Sequence, residues 1–469
     1  MTAAVELPVW LAIIMAAGCA WAVLMSIFLP SVRWVLRRRL NRAIESINSR
    51  LRIQIRPFQR TKRQVLLDRL CYDSEVLQAI EAHTAETGTP TDVVLGRVHG
   101  YANEIVPAFN ALVYYRVGYW IARTVSRFVY RIRVSAADPD ALAAVDPDAT
   151  VVFVMNHRSN VDYLLVTYLA ANQVTLSYAV GEWAAVLPLK QLIKALGGYF
   201  VRRNSNDPLY RKVLERYIHM STKEGVCQAV YLEGGLSRDG HFAPPKLGFL
   251  DYMLRYFDAD NERDIVFVPI GINYDHVLED MNMIVWNDPN RRKGSLYHLK
   301  NLLRFLKNNL FSGSEGRFAR NGYASVNFGI PVSAADFARS RGVAFHQLDK
   351  DQRFPEVSAL ANTLMDAIRH VMPILPVPLI ATVFSSQPDI HLRSTEVVAA
   401  VDELIDRIIA SGAAMKESEK PRSATIEHGL QMLTRRGMLI EQHDLYSLNP
   451  QAQGLARYYA NSIAHWVER

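Results

Sequence analysis

The stretch VVFVMNHRSNVDY, residues 151–163, decides the fold. Residues 150–155 are a short β-branched run that reads as a strand. Asn156, His157, Arg158 and Ser159 then form a polar turn, and 161–171 carries a helical pattern. Working outward, 174–180 is strand-like, 183–196 helical and 199–202 a short strand. Asp207 and Pro208 supply an N-cap and a first helical position for a helix ending near Gly225. Residues 226–232 and 265–272 are further strands. This alternation predicts an α/β core, a central mixed sheet flanked by helices.

His157 and Asp162 are five apart, which on an ideal helix puts them about 140° from each other. They meet only if His157 lies on the turn and Asp162 in the first helical turn, with Ser159 or Asn160 as the N-cap. So placed, the carboxylate accepts the imidazole N–H and fixes its tautomer. The other nitrogen is then left to take a proton from an attacking hydroxyl. These are two members of a triad without its serine, so the substrate's own alcohol can serve as nucleophile. Taken alone, a His and an Asp at such a turn are more often structural.

Three more segments fall at predicted strand ends, where α/β sheets place ligands. In GGYFVRR (197–203) the glycines, Gly198 among them, permit close approach of a ligand to backbone, and Arg202 and Arg203 offer cationic donors for phosphate. In YLEGGLSR (231–238), Glu233 can hold an acceptor hydroxyl, Gly234 opens the backbone and Arg238 can reach a phosphate. Ser237 is not the nucleophile of a G-x-S-x-G elbow, because the last position is Asp239. In VPIGINY (268–274), Pro269 is expected to shape one wall of the site.

The 469 residues are half hydrophobic and carry a net charge of +7. The basic excess is local. Residues 33–63 hold eleven Lys/Arg against one acid, Glu45, so the remaining sequence is net negative. Just before it, 9–29 is an uncharged apolar run bracketed by Pro8 and Pro30, long enough to cross a hydrocarbon core of ~30 Å. Glu6 at the start and the basic cluster behind the run do not fit a signal peptide. An anchor with the rest of the chain on the cytoplasmic face is expected, because cations beside a membrane helix meet anionic headgroups. Membrane lipids are thus expected partners and nucleic acid is not. Cys19, Cys71 and Cys227 form no metal spacing and no disulfide framework.

Residues 66–135 read as helical, and 95–133 as one or two long helices whose arginines interrupt an aromatic face. That pattern fits a membrane-interface helix or a core helix with a basic outer face. Beyond Val332 the chain reads as mostly helical, with 371–384 buried or interfacial. The expected division is a membrane anchor at 1–30, a basic and helical region at 31–147, a catalytic domain at 148–340 and a helical C-terminal region at 341–469.

Taken together these segments resemble the four blocks of the glycerolipid acyltransferases, and within them the bacterial membrane-bound glycerol-3-phosphate acyltransferases. The blocks are NHRSNVD, GGYFVRR, EGGLSR and VPIGINYDHVLED. The likeness extends to LRIQIRPFQRTKRQVLLDRL (51–70), ASVNFGIPVS (324–333) and the tail at 458–465. The resemblance implies His157 as general base with Asp162 orienting it, Arg202 and Glu233 in acceptor binding, and Arg238 on phosphate. Arg158, Ser159, Gly198, Arg203, Gly234, Ser237 and Pro269 complete the expected substrate site. It implies acyl-CoA or acyl carrier protein as co-substrate, no metal or prosthetic group, and the bacterial cytoplasmic membrane as location. One position departs: the third block usually has arginine where this chain has Leu236. The expected reaction is acylation of sn-glycerol 3-phosphate to lysophosphatidic acid. The alternatives are the same transfer to 1-acylglycerol 3-phosphate or dihydroxyacetone phosphate, or a non-catalytic lipid-binding scaffold.

Overall fold

The computed structural model of the chain describes residues 51–280, except 52, 172, 182, 183, 185–187, 203 and 204, together with 321–413 and 421–468. The apolar run 9–29, most of the basic run, Cys19 and Arg203 lie outside the described residues.

The central sheet has eight strands: β1 (Arg131–Ala136), β2 (Thr150–Met155), β3 (Ser177–Gly181), β4 (Tyr199–Val201), β5 (Gln228–Tyr231), β6 (Ile265–Tyr274), β7 (Tyr323–Phe328) and β8 (Val332–Ser333). Their order is β1-β7-β6-β2-β5-β3-β4, with β8 beside the start of β6. β2 to β6 are mutually parallel, whereas β7 and β8 run antiparallel to β6, so the sheet is mixed. Parallel strands send all their C-terminal ends to one edge, and the turns after β2, β4, β5 and β6 therefore share it.

All six residues of β2 are buried. Successive side chains alternate faces, so Val151, Phe153 and Met155 join one core while Val152 and Val154 join the other. The first core packs against helices Asp162–Ala170, Pro376–Ser386, Ser394–Ala410, Arg422–Arg435 and Gln453–Asn461. The second packs against Arg63–Cys71, Ser74–Thr87, Thr91–Ile105, Pro208–Lys223, Gly248–Leu254 and Lys350–His370. The segment 371–384 enters the helix Pro376–Ser386, whose Val377, Leu379, Ile380 and Phe384 are core residues, so of its two readings the buried one holds.

Of the one or two helices read over 95–133 the structure has two, parted at Val106, which is held extended before Pro107 as a residue preceding proline usually is. Two expectations change. The second helix ends at Tyr130, because Arg131–Ala136 is an edge strand paired with β7, with the Arg133 guanidinium over the Tyr323 ring. The C-terminal region carries a small sheet as well as helices: β9 (Leu392–Arg393), β10 (Leu439–Gln442) and β11 (Leu445–Leu448). β10 and β11 are joined by His443 and Asp444, both at positive φ, as a two-residue hairpin turn demands.

Two cations of the basic run belong to the fold. Arg56 donates to the carbonyls of Pro147 and Gly225 and pairs with Asp148, and Arg63 donates to the carbonyls of Asn103 and Val106.

Candidate active site

The turn after β2 is built by its own side chains. The Asn156 carboxamide donates to the Ile272 carbonyl and accepts from the Ile272 N–H, at 2.9 and 2.8 Å, extending the β2–β6 ladder by one side chain. His157 and Asp162 then meet as the spacing requires, with Nδ1 2.9 Å from Oδ2. The same Oδ2 accepts the backbone N–H groups of Arg158 and Ser159 at 2.8 and 3.0 Å, and Oδ1 accepts the Tyr274 hydroxyl at 2.5 Å. Asp162 is wholly buried and His157 is 3% exposed. A carboxylate pays heavily for burial unless its lone pairs are filled, and here four donors fill them. Asp162 begins its helix with Val161 as the N-cap; Ser159 Oγ contributes by accepting the Val161 N–H at 3.2 Å.

With Nδ1–H committed to Asp162, the tautomer is set and Nε2 is the basic nitrogen. It has no hydrogen bond among the described residues. The Tyr231 ring stacks on the imidazole at 3.8 Å and 19°, and Tyr163 meets both rings edge-on. Burial pushes the Tyr231 and Tyr274 hydroxyls well above the usual phenol range, with the Asp162 charge adding to it for both, so each stays protonated.

Glu233 lies at this edge but with both oxygens engaged: one accepts the His157 N–H at 3.3 Å, the other the Ala243 N–H at 2.8 Å. Burial raises its pKa against the pull of those N–H groups and of Arg158. These bonds brace the turn after β2 against the loop after β5. Ser237 joins the same brace, donating its N–H to the His157 carbonyl and its hydroxyl to the His241 carbonyl. Arg158 is 2% exposed; Nη1 donates to Ser237 Oγ and to the Gly240 carbonyl.

Ser159 faces away from the base. Its hydroxyl donates to Glu279 at 2.7 Å, and Asn160 donates to the same carboxylate through both N–H and side chain. Glu279, raised by burial, caps the turn from the loop after β6. The neighbouring Asp280 is held by Arg436 and by the Tyr459 hydroxyl of the C-terminal region, which ties that loop in place.

The remaining expected residues are placed differently. Arg202 forms a two-point ion pair with Glu104, Nη2 to Oε2 2.6 Å, with its guanidinium beside the paired rings of Tyr101 and Tyr210. Gly198 is buried against Ile193, whose Cγ2 would lie 2.6 Å from an added Cβ. That glycine serves helix-to-strand packing instead of close ligand approach. Gly234 turns the chain at φ +70 beneath Lys246. Pro269 lies inside β6, opposite Val154, with its carbonyl accepting the Gly329 N–H where β7 gives way to β8. A residue without an N–H fits at that break in the ladder. Arg238 is exposed on the loop after β5, and Leu236 packs against the first core.

Sequence reasoning missed Tyr231, Tyr274 and Glu279. Tyr274 carried a signal, as the last residue of β6 on the face shared by Ile270 and Ile272 and the one on it with a polar tip.

Residues 134–273 match the model of the acyltransferase family, and residues 308–467 that of the glycerol-3-phosphate acyltransferase C-terminal region. A glycerol-3-phosphate acyltransferase of Pseudoalteromonas atlantica is 26% identical over 419 residues, covering 86% of this chain and 50% of that protein. One from Pseudomonas fluorescens is 28% identical over 331 residues, 67% of this chain and 38% of that protein. The chain thus spans about half the length, or less, of these curated relatives. Among solved structures, a 1-acyl-sn-glycerophosphate acyltransferase from Thermotoga maritima aligns with 65% of this chain at 15% identity and a TM-score of 0.31.

Proposed function

We propose that the chain is a glycerolipid acyltransferase that moves a fatty acyl group from an acyl-CoA or acyl carrier protein thioester to the C1 hydroxyl of sn-glycerol 3-phosphate, giving lysophosphatidic acid. The observation that carries this reading is the buried His157–Asp162 pair at the C-terminal edge of the sheet, with Nε2 unbonded among the described residues. Nε2 takes the proton of the acceptor hydroxyl as its oxygen attacks the thioester carbonyl, and Asp162 stabilises the imidazolium that results. The C–S bond breaks as the tetrahedral centre collapses, and the imidazolium returns the proton to the thiolate. No serine or cysteine is needed as an intermediate carrier, nor any metal or prosthetic group.

The proposed seat of the reaction is the cytoplasmic membrane, with the catalytic unit at 148–340. Supporting this are the apolar run 9–29, the cations that follow it, and the outer face of helix Tyr119–Val129. There Trp120 is 63% exposed beside the exposed Arg116, Arg123 and Arg127, a mix suited to headgroups and acyl chains. Among the described residues no helix is long and apolar enough to cross a membrane.

Detergent-purified chain is incubated with labelled palmitoyl-CoA and either glycerol 3-phosphate or 1-acylglycerol 3-phosphate, and the lipid product is identified. Lysophosphatidic acid from the first acceptor is the expected result. Product from the second alone moves the acceptor and gives Leu236 a meaning, and product from neither, with acyl carrier protein donors also inert, sinks the proposal.

A further inference from the structure

Arg158 presents an uncommon situation: a guanidinium 2% exposed, with Nε and Nη2 lacking any hydrogen-bond partner among the described residues. Buried cationic donors left unpaired are costly, so a group rich in acceptors is called for. No carboxylate supplies it. Glu233 is near enough for the two charges to interact, yet its oxygens are spent on the N–H groups of His157 and Ala243. Beside Arg158 lies a second such donor, Tyr458, 2% exposed and with its hydroxyl also unpartnered among the described residues. The helix Gln453–Asn461 that carries it rests on the loop that holds Arg158. Gly240, whose carbonyl accepts from Arg158, packs so closely on the Tyr458 carbonyl that an added Cβ would lie 2.0 Å away, and Asn461 donates to the Asp239 carbonyl at 2.8 Å. The Arg158 charge reaches the phenol, drawing its pKa down against the stronger upward push of burial. Arg238, Asp239 and His241 of that loop are exposed.

We propose that Arg158 Nε and Nη2 and the Tyr458 hydroxyl form the phosphate-binding end of the acceptor site, one half of it supplied by the C-terminal region. The inference rests on the acyl-transfer reading and gives that reading's acceptor a phosphate end.

The test compares the full-length wild type with Tyr458→Phe and Arg158→Lys, which keeps the charge but loses the planar fork. KM is measured separately for glycerol 3-phosphate and palmitoyl-CoA, and Tm with and without glycerol 3-phosphate and inorganic phosphate. Tyr458→Phe should raise the acceptor KM roughly tenfold, the size of one hydrogen bond to a charged group, leave the palmitoyl-CoA KM unmoved, and melt no lower than wild type. Arg158→Lys should raise the acceptor KM further and abolish the phosphate-dependent rise in Tm. An unchanged acceptor KM in Tyr458→Phe would mean that water satisfies these donors, and would overturn the inference. So would a lower Tm with both KM values raised, the mark of a merely structural residue. If the wild type makes no lipid product but phosphate raises its Tm in a manner dependent on Arg158 and Tyr458, the anion site stands and the acyl-transfer reading falls.

Discussion

Two arginines follow two parallel strands at the same edge of the sheet, and they live in opposite circumstances. Arg202, after β4, keeps 38% of its side chain exposed and spends its fork on Glu104. Arg158, after β2, is buried with two nitrogens unpaired among the described residues. Both fall in blocks of the expected substrate site. The contrast teaches that an arginine's role follows from what fills its donors, not from the motif that contains it. Glu104 already gives Arg202 what a phosphate would offer, whereas nothing described does so for Arg158.

The comparison can be broken or sharpened by substitution. The largest effect should come from the residue next to Arg158. His157→Ala should lower kcat by about 10³-fold or more while the circular dichroism spectrum and Tm stay near wild type, and appreciable residual turnover would remove His157 from its role. Tyr274→Phe deletes the hydroxyl on Asp162 Oδ1. It should cost roughly tenfold in kcat with both KM values unmoved; steady-state kinetics that show a KM effect instead would place Tyr274 in binding. Glu233→Gln leaves an amide N–H₂ facing a backbone N–H on one side of the brace. Denaturant unfolding should show a loss of about 1–2 kcal/mol, and no loss would mean that the brace is not needed. On the other arm of the comparison, a double-mutant cycle on Arg202 and Glu104 should return a coupling below about 1 kcal/mol, since the arginine is more than a third exposed and screened. It should leave the acceptor KM alone, and an acceptor KM that moves with Arg202 would return that residue to the phosphate site.

Acidity offers a further probe of the scaffold behind the site. Burial pushes the Asp275 carboxyl up to about 6 despite two backbone N–H donors, from Tyr323 and Val377. Because the folded state holds this proton more tightly than the unfolded chain, the group's contribution is full below about pH 4 and is lost as pH rises through about 6. Relative to wild type, Asp275→Asn should show a flatter fall in stability across that window, by an amount on the order of 1–3 kcal/mol. Parallel slopes for the two proteins would contradict it.

The strands β2, β4, β5 and β6 were legible because each is a short apolar run bounded by turn residues, and the His157–Asp162 contact because a five-residue spacing permits one arrangement. What escaped was non-local. β1 was absorbed into the preceding helix, since its alternation of Arg131 and Arg133 with Ile132 and Val134 continues the basic and apolar texture of 116–130, and its partner β7 begins at Tyr323. The Glu104–Arg202 pair joins residues 98 apart, and a sequence gives no sign that a block arginine is already taken. Gly198 misled for a related reason: a glycine needed for packing on Ile193 reads like one that admits a ligand. Glu279 shows no sign of its role within its own block, because its hydrogen bonds to Ser159 and Asn160 cross from the loop after β6 to the turn after β2.

The proposed transfer runs in a single step from thioester to alcohol through His157, with no acyl group held on the protein. Thiol release from palmitoyl-CoA is followed by rapid mixing, with and without glycerol 3-phosphate. Release is expected only when the acceptor is present, and none in His157→Ala. A burst of thiol equal to the enzyme concentration in the absence of acceptor would show an acyl-enzyme and rule out the single step.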